Sequence, residues 1–416
     1  MREKLENLID RSNALLILSG IYVFLTTFSN TAWYTLSEGM IFYNMLKGIR
    51  YIIYLLFVIL IFYKMIKHKY SKESILYLCL IGVLSLIGFK TGNDKSLFFT
   101  VLFWAAMFGL NSSKVFTCSL CVQGGLLIVT ILSAFLGLAD NSLLDVERAR
   151  YSLGFNWANL SPILYLFVVM LYIYKRKDKI TIIECIVLEI INVFLYKFTN
   201  TKMALIVLTA IIAVMLIYKI FSGFKSVLKK VLILCKKLVI ILPAICAFVA
   251  CWLPIYNVDT WIWQKMNSLL SGRLWQCRNA IFKYGITLFG KEIDVQVYSI
   301  INKGQSDQTF FIDSGYLHFA VKYGIIVLIL LVGLYSICIW KAYKKEDYFM
   351  VCIFIVIAIF CIEDLYFVSA FNIFTIYAFC DDDVFSDIKL LKKLSKPLYV
   401  IRNNIDKRKR KHECNG

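Results

Sequence analysis

The sequence is short of charge. Only 18% of its 416 residues are Asp, Glu, Lys or Arg, against 60% hydrophobic. A soluble domain of this length carries more charge and more turn residues, and this chain has only four prolines. It also lacks the polar–apolar alternation of outer-membrane barrel strands. Signatures of soluble enzymes are missing: there is no P-loop, no GxGxxG after a strand, no HExxH and no GxSxG. The three histidines, His68, His318 and His412, are too scattered for a metal cluster. No tandem repeat or low-complexity stretch occurs. Met1–Asn13 is charged, and Ala14–Phe28 is apolar without a small-residue cleavage site. The first apolar run is therefore expected to remain as a membrane helix.

What the chain has is apolar sequence in runs long enough to cross a bilayer. They predict an all-α fold, a polytopic transmembrane helical bundle of about twelve spans. The spans fall at 14–29, 45–63, 75–89, 97–110, 115–139, 160–174, 180–198, 203–218, 238–254, 324–340, 348–362 and 366–380. The last also suits a re-entrant segment. Four parts follow. Residues 1–254 hold spans 1–9, and 255–323 form a large extracellular catalytic loop containing amphipathic helices. Residues 324–380 hold spans 10–12, and 381–416 form a basic cytoplasmic tail.

The net charge is +19. On a soluble protein that balance points to nucleic acid. In a membrane protein, Lys and Arg in short loops set topology instead, so no nucleic-acid partner is expected. With the N-terminus inside, about two-thirds of these residues fall in inside segments by the positive-inside rule. Those segments are 1–13, 64–74, 111–114, 175–179, 219–237, 341–347 and 381–416. Both termini are then cytoplasmic, with the tail beside anionic membrane lipid. Most of the thirteen cysteines lie within apolar runs and act as small hydrophobes. Cys118 and Cys121 form a CxxC inside a span with no second pair, which argues against zinc. Cys277 alone lies in 255–323, so no disulfide within that segment is expected.

Segment 255–323 is too rich in Trp and aliphatic residues for a disordered linker. Within it, "SGRLWQCRNAIFKYGITLFG" (271–290) carries Arg273, Arg278 and Lys283. At about 100° per residue, Leu274, Trp275, Cys277, Ile281, Phe282 and Tyr284 form an apolar arc. Gln276, Asn279 and Lys283 lie opposite, and Lys283 should be solvated. Arg273 and Arg278 fall within or beside the apolar arc, toward the bundle or lipid headgroups. A buried guanidinium needs a partner, and its planar fork suits phosphate. The alternative is an interfacial helix whose arginines pair with carboxylates.

Three further stretches carry polar groups at span ends. "DVERARYSLGFNWANLSP" (145–162) holds Glu147, Arg148 and Arg150, with Asn159 at a span entrance as a candidate site residue or a helix cap. "DSGYLHFAVKYG" (313–324) holds Asp313, Tyr316 and His318. Asp313 and His318 are candidate proton carriers, although a lone boundary histidine is more often an interface residue. "IEDLYFVSAFN" places Glu363 and Asp364 at a span end. Inside spans, Glu189 is a mid-membrane carboxylate with Asn192 near it, functional by default or a paired structural group. Lys47, Arg50 and Lys202 could point into an outward-facing cavity.

Together these stretches resemble the Wzy-type polysaccharide polymerases, relatives of the O-antigen ligases. The match lies in the span layout and in four local patterns. "RYSLGFNWAN" is similar to an Arg, Gly, then Asn pattern before a span. "SGRLWQCRNAIFKYGITLFG" resembles a Ser-Gly-Arg helix ending in a Phe-Gly turn. "DSGYLHFAVKYGI" resembles an Asp-Asn-x-Tyr stretch, and Glu363 and Asn372 resemble residues near the family's last span. Trp157 and Ala158 depart from His-Pro, Asp313 stands where ligases tend to have histidine, and Lys291 and Glu292 follow Gly290 in place of a second glycine.

The resemblance implies a bacterial plasma-membrane glycosyltransferase of capsule or exopolysaccharide synthesis. Its substrate would be an undecaprenyl-pyrophosphate-linked oligosaccharide, polymerised on the outer face with lipid pyrophosphate as leaving group. No cofactor is implied. A flippase and a chain-length regulator are candidate partners. Arg150, Arg273 and Arg278, with Lys202 behind them, are expected to hold the pyrophosphate. Asp313 is expected to act as base, followed by Glu147 and Glu363. Two other activities compete: a ligase, and a lipid-linked oligosaccharide flippase. A flippase would line a central cavity with cations and show two similar halves, which this chain does not.

Overall fold

In the computed structural model the described residues are 12–145, 148–221, 223–270, 272–294, 300–301, 310–369 and 371–395. They form an all-α membrane protein with one small two-stranded sheet. The helices of the first half are α1 (Ser12–Phe28), α2 (Ala32–Leu36), α3 (Ile41–Ile66), α4 (Lys72–Gly92), α5 (Ser96–Ala106) and α6 (Ser112–Phe135). An antiparallel hairpin, β1 (Leu143–Asp145) and β2 (Arg150–Tyr151), follows. Next come α7 (Leu160–Arg176), α8 (Ile182–Thr199), α9 (Lys202–Ile220), α10 (Phe224–Leu234) and α11 (Lys236–Trp252). The rest are α12 (Trp261–Leu269), α13 (Arg273–Tyr284), α14 (Gly315–Lys322), α15 (Ile325–Lys344) and α16 (Tyr348–Phe360). Among the described residues six segments are long and apolar enough to cross a membrane: α3, α4, α6, α9, α15, and α11 extended to Ile255.

Local chemistry starts several helices. Ser71, Asn111, Thr260, Ser314 and Asp347 each accept a backbone N–H of the first turn, and Thr181 with Glu184 forms a capping box. Asn93 and Asn200 end α4 and α8 in the left-handed conformation that asparagine tolerates. Helix α7 is apolar on nearly every side and almost wholly buried, so it is the central helix. Helices α3, α8 and α9 leave broad rows of Ile, Leu, Val and Phe exposed, as lipid-facing helices do.

Eleven of the twelve predicted spans contain an α-helix. The twelfth, 366–380, does not. Its described residues are turns and a 3-10 helix, Ile373–Ala378, yet Phe371–Cys380 are all buried. This segment still runs from one end of the bundle to the other. At one end Gly315 N–H donates to Asp364 O. At the other, Asp381 accepts from the backbone and hydroxyl of Ser112, at the start of α6. Non-helical backbone is tolerated at membrane depth only where protein satisfies it, and here side chains do so. Lys341 Nζ donates to the carbonyls of Tyr377 (2.8 Å), Asp382 (3.0 Å), Ala378 and Cys380. Asn372 Nδ2 donates to Tyr366 O and Phe367 O. Lys64 does the same for Ala106 O (2.6 Å) and Phe108 O (2.7 Å) past the end of α5. Positive charge at Lys64 and Lys341 thus serves the fold, besides any topological role.

Candidate functional site

The site forms where α13, the start of α14 and the end of α16 meet. Gly315 brings the last two together. Its N–H donates to both Cys361 O and Asp364 O, and a Cβ there would lie 2.7 Å from Asp364 O. Tyr316, fully buried, donates its hydroxyl to Ala358 O and fixes the same junction. Asp313, just before this joint, is thereby held beside Glu363 and Asp364. Arg273, the first residue of α13, reaches down to them. Its Nε lies 2.7 Å from Asp313 Oδ2 and its Nη1 lies 3.4 Å from Glu363 Oε2. The side chains of Arg273, Asp313 and Glu363 are 22%, 18% and 5% exposed.

Burial pushes the Asp313 and Glu363 carboxyls up, with Arg273 pulling against it. Asp364 is buried without a guanidinium in contact, and burial pushes it up to about 8. It is therefore a neutral acid at pH 7. One Glu363 oxygen, Oε1, is buried and has no hydrogen-bond partner among the described residues. Glu363 and Arg273 form the polar end of a small cleft whose walls include Val249, Ala250, Leu253 and Leu270. Glu363 thus presents a buried acceptor oxygen able to take a hydrogen bond from a hydroxyl.

Arg150 comes from the hairpin. Its Nε donates to Thr199 O (2.8 Å) and one Nη to Thr201 Oγ1 (3.3 Å), tying the hairpin to the α8–α9 turn. A guanidinium has five N–H donors, so Arg150 keeps three without partners among the described residues. It is close enough to Arg273 and Asp313 for their charges to act on it. The arrangement has two guanidiniums, two carboxylates and one neutral acid. It can bind an anion at Arg150 and accept a proton at Asp313 or Glu363.

The other sequence candidates are dispersed. Arg278 donates to Pro254 O and lies over the Phe282 ring, away from the carboxylates in its contacts. Lys202 is exposed and makes no hydrogen bond or ion pair with described residues. Asn159 occupies the position before α7, but its side chain makes no cap. His318 packs edge-on to Phe319, and burial pushes its imidazole down to about 4, which leaves it neutral. Glu189 accepts from Thr209 Oγ1 (2.6 Å) and Asn192 Nδ2 (3.2 Å), a structural triad joining α8 and α9. Tyr316 serves the α14–α16 joint, and Glu147 lies outside the described residues. On α13, Leu274 and Cys277 are buried as the wheel predicts, and Lys283 is exposed; Trp275 and Phe282 of the same apolar arc are exposed too. Asp364 is the member that the sequence marked only as a span end. Its signal was a second acid directly after Glu363, beyond an apolar run.

The glycine-bounded end of the 271–290 stretch also finds its reason. Gly290 has φ +81°, and a Cβ there would lie 2.1 Å from Lys322 O. Ile325 N–H donates to Thr287 O, and Lys291 N–H to Val321 O. The Phe-Gly turn is thus clasped to the end of α14, and the Lys322–Asp94 ion pair (2.8 Å) secures α14 to the end of α4. Among the described residues no group of His, Cys, Asp and Glu is arranged to hold a metal ion. No protein-family model, curated protein or solved structure matches the chain.

Proposed function

We propose that the chain is a membrane glycosyltransferase of the Wzy type, joining undecaprenyl-pyrophosphate-linked oligosaccharide repeats. The observation that carries this reading is the buried Asp313–Arg273–Glu363 group with the spare donors of Arg150 nearby. In this reading eleven helices and the non-helical 366–380 segment cross the plasma membrane of a bacterium. Residues 255–323 lie on the outer face, and both termini, with 381–416, are cytoplasmic. The alternation of Lys and Arg supports that orientation.

The chemistry follows from the groups. The acceptor hydroxyl attacks the anomeric carbon of the growing chain, and the bond from that carbon to the pyrophosphate oxygen breaks. The hydroxyl proton passes to Asp313 or Glu363, whose raised affinity for protons suits a base. Negative charge grows on the departing pyrophosphate, and Arg150, with Arg273, stabilises it. Arg273 also positions both carboxylates. Asp364, neutral, keeps the site from accumulating a third negative charge.

Deletion in the native host followed by glycan analysis tests the activity. The expected result is single repeats on lipid at the outer face. Repeats trapped at the inner face would establish a flippase instead, and finished polymer not transferred to its acceptor would establish a ligase. Arg273→Ala and Arg150→Ala should each abolish polymer while leaving single repeats. Normal polymer from either variant at normal protein level would sink that residue's assignment.

A further inference from the structure

The connection between α9 and α11 holds a helix that the catalytic reading does not use. Helix α10 (Phe224–Leu234) sits between two apolar helices, so both its ends are tethered where those helices leave the membrane. Placed on a wheel at about 100° per residue, its side chains divide into three sectors. Phe224, Leu228 and Leu232 occupy the first. Leu232 is buried, and its carbonyl accepts the Tyr343 hydroxyl (2.8 Å), so this sector rests on α15. Val227, Val231 and Leu234 form a second apolar sector that the described residues leave exposed. Lys225, Lys229 and Lys230 lie in the third with Ser226; exposed Ile233 interrupts it.

The lysines are unequal. Lys225 pairs with Asp178 and Lys229 with Glu346, both from neighbouring connections. Lys236, at the start of α11, lies over the Tyr343 ring. Lys230 and Lys237 are exposed and have no partner among the described residues. Residues 224–237 contain no acid. An apolar edge beside unneutralised lysines, on a helix held at the membrane boundary, fits one kind of surface.

We propose that α10 is an interfacial helix that binds anionic phospholipid headgroups. Val227, Val231 and Leu234 enter the acyl region of the adjoining leaflet. Lys230 and Lys237 contact lipid phosphates, and the paired Lys225 and Lys229 fix the helix to the bundle. The inference requires only that the neighbouring helices span a membrane, and it stands apart from the polymerase reading.

Full-length protein, purified in detergent, is titrated with phosphatidylglycerol or phosphatidylcholine, and bound lipid is counted by native mass spectrometry. The wild type should prefer phosphatidylglycerol. The Lys230→Gln/Lys237→Gln double variant should lose phosphatidylglycerol affinity by roughly thirty-fold, the equivalent of about 1 kcal/mol for each lysine. Its affinity for phosphatidylcholine and its thermal midpoint should be unchanged. Soluble glycerol phosphate should not compete, because it lacks the acyl chains that the apolar edge requires. The basic residues of 381–416 are common to both chains and cancel in the comparison. Equal phosphatidylglycerol affinity in the two chains would overturn the proposal, as would full competition by glycerol phosphate.

Discussion

Removing Arg273 should strand charge in a way that can be read against pH. Arg273→Ala leaves Asp313 and Glu363 without their common cation. Breaking a buried ion pair by deleting one partner costs about 3–5 kcal/mol. Residual exposure of Arg273 and Asp313 places this case near the lower bound, about 3 kcal/mol. The sign with pH follows from linkage. Burial already raises both carboxyls above their ordinary range, and losing the guanidinium raises them further. A native pKa above the unfolded one gives stability that is present at low pH and lost as pH rises through the native value. The variant's deficit should therefore be small near about pH 4, where carboxyls protonate even in the unfolded chain, and should grow toward neutrality. Asp313→Asn alone should cost less, because Arg273 keeps Glu363. The double variant should be more stable than the summed losses imply, by about 1–2 kcal/mol. Thermal unfolding of the four proteins in one detergent, from acid to neutral pH, supplies every quantity needed. Additive losses, or a deficit independent of pH, would refute the ion pair as described.

Asp364, raised by burial to about 8, should make wild-type stability fall by up to about 1.4 kcal/mol per pH unit as pH rises from its unfolded value toward 8. Asp364→Asn should flatten that slope in thermal unfolding, and an unchanged profile would contradict the assignment. Lys341→Met removes the donor shared by four carbonyls of 377–382. Charged hydrogen bonds contribute about 1.5–3 kcal/mol each, so folded yield in detergent should drop sharply; wild-type yield and melting would show that those carbonyls need no such donor. Gly290→Ala combines a left-handed backbone with a Cβ 2.1 Å from Lys322 O, and should lower the thermal midpoint measurably, with an unchanged midpoint counting against the clasp.

Six of the twelve spans were legible as membrane-length helices among the described residues, because bilayer thickness sets a length that apolar runs either meet or miss. Segment 366–380 is comparably apolar, yet its described residues form no α-helix. Hydropathy records whether side chains tolerate the interior, and it is silent on which groups donate hydrogen bonds to the backbone carbonyls. Those donors, Lys341 and Gln123, come from distant helices. The same blindness affected the lysines. Lys341 counted as a loop charge, yet its side chain is almost wholly enclosed. In the site, Asp313, Arg273 and Glu363 stood out as charges beside apolar sequence. Their meeting depends on Gly315 and the α14–α16 joint, a three-dimensional fact that spacing does not encode. Arg278, five residues after Arg273 on the same helix, differs in fate because Pro254 O and the Phe282 ring hold it.

The route of 366–380 bears on how the protein is made. A segment whose carbonyls are satisfied by Lys341 of α15 and Gln123 of α6 would leave those carbonyls unsatisfied alone in lipid. It must wait until α15, which carries Lys341, is in place and then slot between partners already assembled. Until it arrives, Lys341 has none of its four acceptors. The segment is thus a keystone: it closes the structure against α15, and a chain without it would hold an unanswered charge near the C-terminal end of that helix.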